Sequence, residues 1–408
     1  MSGTPATELD APVGAPVAPA PGAAPAGTEA VVRGGRFPAL DGLRAIAVLA
    51  VMATHIGFQT GQTNRGVVGA VLARGDIGVT VFFLLSGFLL WTPFVRGHLS
   101  ARPAPATRPF LLNRALRILP AYWVLLAVVL PTLDRHVITP GKVLSQVLLL
   151  QVYPRGHLLG GLTQTWSLAV EATFYLALPL LALLTQARTR RSPTDQLRVE
   201  LRLLAAMVVV ALGWTVLTRQ GAVDPHVGPL WLPQYVDWFA LGMVLAVGRC
   251  WHDQTGALKV LDQLGDAAGT CWTVALLLFW LTTTPLAGSR GLDLPTTWEA
   301  LVKHVLYGLA AFALLLPAVF GTDETSAVRR VLTSRPARHL GRISYGVFLW
   351  HLLALDLVYR LTPLTPFRGD ALLVTALLLP FSFVMAELSL RLVEEPALRW
   401  KRSALPGR

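Results

Sequence analysis

The chain has 408 residues, of which 53% are hydrophobic and only 14% are charged, and its mean hydropathy is +0.55. Soluble proteins carry about 25% charged residues, so this composition excludes an ordinary soluble protein and predicts an integral membrane protein. The net charge of +12 comes mainly from arginines that flank apolar runs. That pattern is typical of cytoplasmic loops rather than of a nucleic-acid-binding surface, so we expect no nucleic acid partner.

The first residues differ in composition from the rest of the chain. Residues 1–32 are rich in alanine, proline and glycine and contain no basic residue. We therefore predict a disordered cytoplasmic tail over residues 1–35. It lacks the charged start and continuous apolar stretch of a signal peptide. Residues 36–400 are predicted to form one transmembrane domain, followed by a basic cytoplasmic tail at 401–408.

Apolar stretches along the domain predict an all-α polytopic membrane protein with about ten transmembrane helices, because one crossing needs about 20 mostly apolar residues. The predicted crossings are residues 39–58, 77–95, 118–133, 165–185, 203–218, 232–248, 270–286, 302–320, 343–359 and 371–390. A further apolar stretch at 143–152 is too short to cross, so we predict a re-entrant or interfacial helix there.

The distribution of basic residues supports this topology. With the N-terminus in the cytoplasm, ten crossings place 25 of the 35 basic residues on the cytoplasmic side. Cytoplasmic loops are enriched in lysine and arginine, whereas a crossing at 143–152 would turn every later arginine-rich loop outward. We therefore expect a multi-pass protein of the inner (plasma) membrane with both termini in the cytoplasm.

The first crossing carries two ionisable residues, Arg44 and His55, eleven positions apart. At 100° per residue they lie about 20° from alignment, so both face one side of the helix, about 16 Å apart along its axis. Ionisable residues inside a membrane are costly and usually functional. The alternatives are that Arg44 is a snorkelling topology charge and that His55 makes an interfacial structural hydrogen bond.

The fourth crossing carries Glu171, which we place about two turns in from the outer surface, at the depth of His55. A carboxylate there would orient the histidine and stabilise its imidazolium form. The alternative is a carboxylate that only packs against other helices. On the inner side before the third crossing, Arg114 and Arg117 share one helical face and are suited to binding phosphate. They are equally explained as topology charges.

The ninth crossing carries His351 near the membrane midplane. The sequence leaves open whether this histidine lines a substrate channel or only hydrogen-bonds across helices.

Together these segments resemble the acyltransferase 3 family of membrane-bound O-acyltransferases, in its standalone form. The matching stretches occur in the family's order and cover about residues 36–400. They are Leu40–Arg44 with His55, Phe82–Phe88, Arg114–Tyr122, Trp166–Tyr175 and Ile343–His351.

The resemblance implies transfer of an acyl group, commonly acetyl, from acyl-coenzyme A to a hydroxyl of a sugar-containing acceptor. Such acceptors are cell-surface glycans or macrolide-type natural products. The family's arginine and histidine map onto Arg44 and His55, and its paired arginines map onto Arg114 and Arg117. Acyl-coenzyme A, with acetyl-coenzyme A as the first choice, is then the co-substrate, and no metal is expected.

We expect Arg44, Arg114 and Arg117 to hold the donor phosphates near the inner surface. His55, oriented by Glu171, would act as general base on the acceptor hydroxyl. Direct attack by the acceptor is expected, because no serine or cysteine stands out as an activated nucleophile. Further candidates for a channel or acceptor site are Asp41, Ser86, Trp166, Asp237, Tyr345 and His351.

Two other classes of function fit the same residues. Buried histidine and glutamate would also suit a proton-coupled transporter or flippase for a polar or lipid-linked molecule. A non-catalytic membrane scaffold would instead tolerate substitution of Arg44 and His55. Transfer of label from a thioester donor to an acceptor separates the enzyme from both alternatives.

Overall fold

A computed structural model describes residues 37–99, 105–134, 136–186, 192–291 and 293–404. Over these residues the chain is all-helical and contains no β-strand, as the sequence predicts. The predicted tail at 1–35 lies outside the described residues. So does the predicted basic tail from residue 405 onward, whereas residues 401–404 continue the last helix.

Fifteen α-helices form the described part of the chain. They are α1 (Pro38–Gln59), α2 (Gly66–Leu72), α3 (Ile77–Leu99), α4 (Thr107–Val129), α5 (Pro140–Val147), α6 (Thr165–Thr185), α7 (Pro193–Arg219), α8 (Val236–Thr255), α9 (Lys259–Asp266), α10 (Ala268–Thr282), α11 (Thr297–Phe320), α12 (Ala327–Leu332), α13 (Arg335–Leu361), α14 (Ala371–Ser389) and α15 (Glu395–Ala404).

The helix starts are encoded locally. Helices α1, α5 and α7 begin with proline, whose missing N–H would be unpaired in a first turn anyway. Helix α11 begins with a capping box, in which Thr296 and Glu299 each accept a hydrogen bond from the other's backbone N–H.

Within the residues that the structure describes, seven helical stretches are long and apolar enough to cross a membrane, so the chain is a membrane protein. Helices α9 and α10, which meet at 76°, would form an eighth crossing if the bent pair is one span. The predicted crossings at 232–248 and 343–359 fall on α8 and α13, which have 20 and 27 residues. These helices reach about 30 Å and 40 Å, enough to span, but they are less apolar. The number of about ten crossings is not confirmed and stays a prediction.

Helices α8 and α13 carry polar side chains that are buried in the protein. Asp237 on α8 and His351 on α13 are 6% and 1% exposed, so both face protein. By contrast, Val209 on α7, Leu276 on α10 and Leu372 on α14 are largely exposed, as expected of side chains that face lipid. Helices α8 and α13 are therefore interior helices, and the candidate site is built around α13.

Helices α1 and α13 run parallel in close contact. Near their starts, the Cα of Gly341 lies so close to Asp41 that a Cβ would be 1.9 Å from the Asp41 carbonyl oxygen. Near their ends, the Tyr359 hydroxyl donates to the Gln59 carbonyl over 3.3 Å. Only glycine permits this approach of the two backbones, which sets α13 alongside Arg44 and His55.

Helix α3 runs antiparallel to α1. Gly78 at its start lies against Ala47 in the middle of α1, and Phe88 in its middle packs on Phe37 just before α1.

Helix α6 runs parallel to α3. Trp166 at its start packs edge-on against Phe83, and Thr185 at its end contacts His98, which lies near the end of α3. Helices α1 and α13 therefore run in one direction and α3 and α6 in the other.

The helix predicted at 143–152 corresponds in part to α5, which ends at Val147, and its eight residues extend about 12 Å, too short to cross. Between α5 and α6 the chain is not helical, yet parts of it are buried. Gln151 and Gln164 are 1% and 2% exposed, and the Gln164 amide donates to the Leu349 carbonyl on α13 over 2.9 Å. Helix α6 therefore begins inside the bundle rather than at its surface.

Candidate functional site

A cavity of about 100 Å³ lies between α1, α3, α4, α6 and α13. Its lining is mainly apolar, but it includes three guanidinium groups and one carboxylate. These charged residues are Arg44, Arg114, Arg117 and Glu171. We call this space the arginine cavity.

Glu171 is held by two hydroxyl groups in the arginine cavity. Ser86 donates to its Oε1 over 2.5 Å, and Tyr175 donates to the same oxygen over 2.6 Å. Ser86 comes from α3, whereas Tyr175 lies one helical turn beyond Glu171 on α6. These two hydrogen bonds fix the position of the Glu171 carboxylate.

The arginines outnumber the carboxylates in this cavity. Arg44 has a long contact of 3.4 Å with Asp41, and the Nε of Arg114 is buried with no hydrogen-bond partner among the described residues. Three guanidinium groups around one carboxylate give the cavity a positive charge. A partly apolar, positively charged cavity with an unpaired donor is suited to an anionic ligand.

A second and larger cavity, of about 730 Å³, lies among α1, α3, α6, α11, α13 and the loops at their ends. His55 and Trp166 line it, together with carboxylate, hydroxyl and aromatic side chains. We call this space the histidine cavity. Its volume is in the range of small-molecule binding sites.

The charged groups of the histidine cavity are largely paired with one another or with backbone. Lys303 on α11 binds Asp76 over 2.8 Å, and the Tyr307 hydroxyl donates to the same carboxylate. Arg74 donates to carbonyl groups that follow or end α10, including those of Thr282 (2.7 Å) and Gly288 (2.7 Å). These bonds fix the part of the cavity wall that Arg74, Asp76 and Lys303 form.

His55 lies beside His351, with ring centroids 5.1 Å apart and planes at 47°. His351 is 1% exposed, and its Nδ1 lies 2.7 Å from the Phe348 carbonyl oxygen. His55 lines the histidine cavity, and His351 lies behind it on α13.

The two cavities are neighbours. Val79, in the first turn of α3, lines both of them. On the arginine side, Phe82 and Phe348 pack edge-on with ring centroids 6.4 Å apart, and the Phe348 ring is 5.9 Å from that of His351. An aromatic pair thus lies between the arginines and the histidines.

The predicted contact between His55 and Glu171 is wrong, because the two residues line different cavities. The prediction assumed that α6 starts at the outer surface, but α6 starts at the depth of Leu349, two residues before His351. Glu171 lies seven residues beyond Gln164, about 10 Å deeper at the helical rise. Its partners are therefore Ser86, Tyr175 and the arginines.

Three of the remaining sequence candidates line the cavities. Ser86 and Tyr345 line the arginine cavity, and the Tyr345 hydroxyl donates to the Ile118 carbonyl on α4 over 2.7 Å. Trp166 lines the histidine cavity. Asp41 lies beside Arg44 at the start of α1.

Asp237 is the sequence candidate that the structure places away from both cavities. Its carboxylate binds the Nε2 of His304 over 2.8 Å, and the Trp238 ring stacks on His304 at 4.4 Å. The described lining of neither cavity includes Asp237. Its hydrogen-bonding partner lies on the adjacent α11, so Asp237 links α8 to α11, and its role in a channel or acceptor site stays a prediction.

Sequence reasoning missed Asp76 and Lys303 on the wall of the histidine cavity, and Tyr307, whose hydroxyl donates to Asp76. A signal existed, because Lys303 falls inside the predicted crossing at 302–320 and ionisable residues in crossings are usually functional. The signal was weak because Lys303 lies one residue from the end of that segment, where topology charges also occur.

Comparisons with known proteins match the chain to acyltransferases. The acyltransferase domain family matches residues 37–387. The peptidoglycan O-acetyltransferase OatA of Listeria monocytogenes is 24% identical over an alignment of 376 residues. The alignment covers 88% of this chain and 55% of OatA. The acyltransferase MdmB of Streptomyces mycarofaciens is 37% identical over 158 residues, 36% of this chain and 39% of MdmB.

A third relative is the putative peptidoglycan O-acetyltransferase YrhL of Bacillus subtilis, which is 24% identical over an alignment of 404 residues. The alignment covers 88% of this chain and 54% of YrhL. This chain spans about half the length of OatA and YrhL. No solved structure matches it. The family match extends over most of the chain and includes every residue of both cavities, so the chain belongs to the acyltransferase 3 family.

Proposed function

We propose that this protein is a membrane O-acyltransferase. It transfers an acyl group, acetyl in the first instance, from cytoplasmic acyl-coenzyme A to a hydroxyl of a sugar-containing acceptor. The observation that carries the proposal is the pair of neighbouring cavities, one lined by three arginines and the other by His55, which meet at Val79. An anionic donor and a hydroxylic acceptor need separate sites that meet where the acyl group is transferred.

The proposed topology has about ten crossings with both termini in the cytoplasm of a cell whose inner (plasma) membrane holds the protein. The parallel run of α1 with α13, and the opposite run of α3 and α6, agree with alternate crossings in that count. The arginine cavity then faces the cytoplasm, where acyl-coenzyme A is made, and the histidine cavity faces outward. The surplus of basic residues on the cytoplasmic side supports the same orientation.

In the arginine cavity, Arg44, Arg114 and Arg117 bind the phosphates of coenzyme A at the cytoplasmic mouth by charge-assisted hydrogen bonds. The pantetheine arm reaches on the order of 15 Å, comparable with the roughly 16 Å between Arg44 and His55 along α1. It carries the thioester past Val79 toward the histidine cavity. Glu171 keeps its place among the arginines and has no role as a partner of His55.

At the junction, His55 takes the proton of the acceptor hydroxyl as general base. The hydroxyl oxygen attacks the thioester carbonyl carbon, the carbon–sulfur bond breaks, and His55 returns the proton to the departing coenzyme A thiolate. The products are an O-acyl ester and free coenzyme A. General base catalysis of this kind contributes about 100- to 10,000-fold to the rate.

The acceptor binds in the histidine cavity. The cavity combines the flat ring of Trp166 with carboxylates and hydroxyls, a mixture that suits the apolar faces and hydroxyl edges of a sugar. Relatives named peptidoglycan O-acetyltransferases favour a cell-surface glycan, and a macrolide-type natural product is the other acceptor class.

The test is transfer of radiolabelled acetyl from acetyl-coenzyme A to a panel of peptidoglycan fragments and macrolides by the protein in proteoliposomes. The wild-type protein should label one class of acceptor. His55→Ala should reduce labelling by about 100-fold or more, the general-base contribution. His136→Ala, which changes an exposed loop histidine, is the matched control and should retain activity.

The other outcomes are equally defined. Full activity of His55→Ala would remove this histidine from the mechanism. Movement of an acceptor across the membrane without labelling would identify a transporter or flippase instead.

A further inference from the structure

His351 has a buried ring nitrogen without a partner. Its Nδ1 lies 2.7 Å from the Phe348 carbonyl oxygen, which can only accept, so Nδ1 carries the hydrogen. In the neutral ring Nε2 then has a lone pair, and no described residue donates to it. Buried polar atoms are nearly always hydrogen-bonded, so we expect a hydrogen-bond donor for this nitrogen beyond the bonds described above.

The nearest ring is that of His55, with centroids 5.1 Å apart. Imidazole nitrogens lie about 1 Å from the ring centre, so two rings at this separation whose nitrogens face each other place them about 3 Å apart, a normal hydrogen-bond distance. The carboxylate expected to orient His55 from sequence, Glu171, is instead bonded to Ser86 and Tyr175. His55 therefore needs another partner if it is to hold one orientation.

We propose that His351 is the positioning residue for His55. The Nε2 of His351 accepts a hydrogen bond from one ring nitrogen of His55 and holds the other ring nitrogen toward the histidine cavity. The inference rests on the proposed function, since it assigns His351 to the same general base.

The arrangement accounts for the proton at each step. Before transfer, His55 has its hydrogen on the nitrogen that faces His351, so the nitrogen facing the cavity has a free lone pair. When that nitrogen takes the acceptor proton, the bond to His351 remains and helps to stabilise the imidazolium. The proton then leaves with the coenzyme A thiol and the first state is restored. The backbone bond from Nδ1 to Phe348 holds His351 in the accepting tautomer throughout.

His351 acts through His55 and not on the acceptor. His55 lines the histidine cavity, whereas His351 is 1% exposed and lies behind it. This difference in access to the cavity separates a positioning role from that of a second base. The experiments below separate a positioning role from a purely structural one.

The first experiment compares His351→Leu with His351→Gln in the acetyl-transfer assay. Glutamine can place its amide oxygen near the position of Nε2 and accept the bond, whereas leucine fills the space without an acceptor. His351→Leu should lower kcat roughly 10- to 100-fold, with little change in KM for acetyl-coenzyme A. This range is the loss seen in other proteins when a residue that orients a functional histidine through a hydrogen bond is removed. His351→Gln should recover most of the loss, and equal activity of the two variants would overturn the proposal.

The second experiment is a double-mutant cycle with His55→Ala. If His351 acts only through His55, His351→Leu should cause no further loss in a protein that already lacks His55. A further loss of the same size would overturn the proposal and make His351 an independent catalytic or structural residue.

The third experiment does not depend on transfer activity. Protein labelled with ¹⁵N-histidine reports which ring nitrogen carries hydrogen, and His55→Ala identifies the His55 signals. The wild-type protein should show one His55 tautomer and His351→Leu a mixture. Unchanged His55 signals in His351→Leu would reject the positioning role. A single tautomer in a protein that labels no acceptor would leave this proposal standing while the proposed function fails.

Discussion

Glu171 lies among arginines rather than beside the proposed base, and this position changes the chemistry expected of it. Its Oε1 accepts hydrogen bonds from Ser86 and Tyr175, and it shares the cavity with Arg44 and Arg114. A carboxylate in such a setting offsets part of the repulsion between neighbouring guanidinium groups while the donor is absent. The charge left over is what an anionic donor would neutralise.

Arg114 is the arginine with the clearest unfilled bond, because its Nε is buried without a described partner. Arg114→Ala should raise KM for acetyl-coenzyme A roughly 10- to 150-fold, which corresponds to about 1.5–3 kcal/mol for a hydrogen bond to a charged group. The value of kcat should change much less. Steady-state kinetics with varied acetyl-coenzyme A measures both.

The matched control is Arg108→Ala, which removes an exposed arginine from the first turn of the same helix. It should leave KM within about twofold, since an exposed charge contributes little. If Arg108→Ala and Arg114→Ala raise KM equally, the arginines act through the general field of the helix and not through a donor contact.

Ser86 presents a second question at the residue scale, because a serine 2.5 Å from a carboxylate could be an activated nucleophile. Two features favour direct attack by the acceptor. The same carboxylate oxygen already accepts from Tyr175, and Ser86 lies in the arginine cavity while His55 lies in the other.

Ser86→Ala should therefore retain measurable transfer, with activity reduced less than tenfold. The wild-type protein should carry no covalent acetyl group after a brief incubation with labelled acetyl-coenzyme A, as judged by mass spectrometry of the intact protein. An acetyl group on the wild-type protein that is absent from Ser86→Ala would show an acyl-enzyme and reject direct attack.

At the scale of elements, the sequence predicts where helices lie better than how deep each begins. Each predicted crossing falls on a helix, because apolar runs of about 20 residues leave the backbone no other hydrogen-bonding solution in lipid. The start of α6 could not be predicted in this way. The segment before it is non-helical and partly buried, and only the bond from Gln164 to Leu349 reveals the depth of Glu171.

The arginines of the site could be predicted from the sequence better than the partners of the Glu171 carboxylate. Arg44, Arg114 and Arg117 were predicted to lie near one end of the bundle, and the structure brings them together in one cavity. Their spacing on single helices determines which face they share, whereas the pairing of His55 with His351 depends on the contact between α1 and α13. That contact is set by backbone approach at Gly341, which hydrophobic periodicity does not record.

The contact between α1 and α13 gives a prediction of its own. Gly341→Ala places a Cβ 1.9 Å from the Asp41 carbonyl oxygen, far inside van der Waals contact, so the helices must separate. We expect a destabilisation of about 1–3 kcal/mol, the usual cost of overpacking, and lower transfer activity because His351 moves away from His55. Thermal unfolding in detergent and the acetyl-transfer assay measure the two effects.

Gly213→Ala on α7 is the control for helix propensity, because nothing lies within 4 Å of the added Cβ. It should stabilise the protein by about 0.5–1 kcal/mol, the difference between glycine and alanine inside a helix. Equal thermal stability of the two variants would mean that the close approach of α1 and α13 is not needed.

At the scale of the whole molecule, the proposed function requires the two cavities to open toward opposite sides of the membrane. The proposed topology of about ten crossings depends on α8 and α13, the two predicted crossings that are long enough to span but whose polar residues make them less apolar. If both cross, residues before and after each of them lie on opposite sides. If either one does not cross, the sidedness of the chain inverts after it and the arginine-rich loops no longer share one side.

Single cysteines on either side of these helices test this directly, in a protein with Cys250 and Cys271 replaced by alanine. Ala222→Cys and Ala257→Cys flank α8, and Glu324→Cys and Thr365→Cys flank α13, all at exposed positions. With a membrane-impermeant maleimide on intact cells, the cysteines at 222 and 365 should react, and those at 257 and 324 should react only after the membrane is opened. Reaction of both members of a pair from outside would show that the enclosed helix does not cross, and the proposed count of about ten crossings would be rejected.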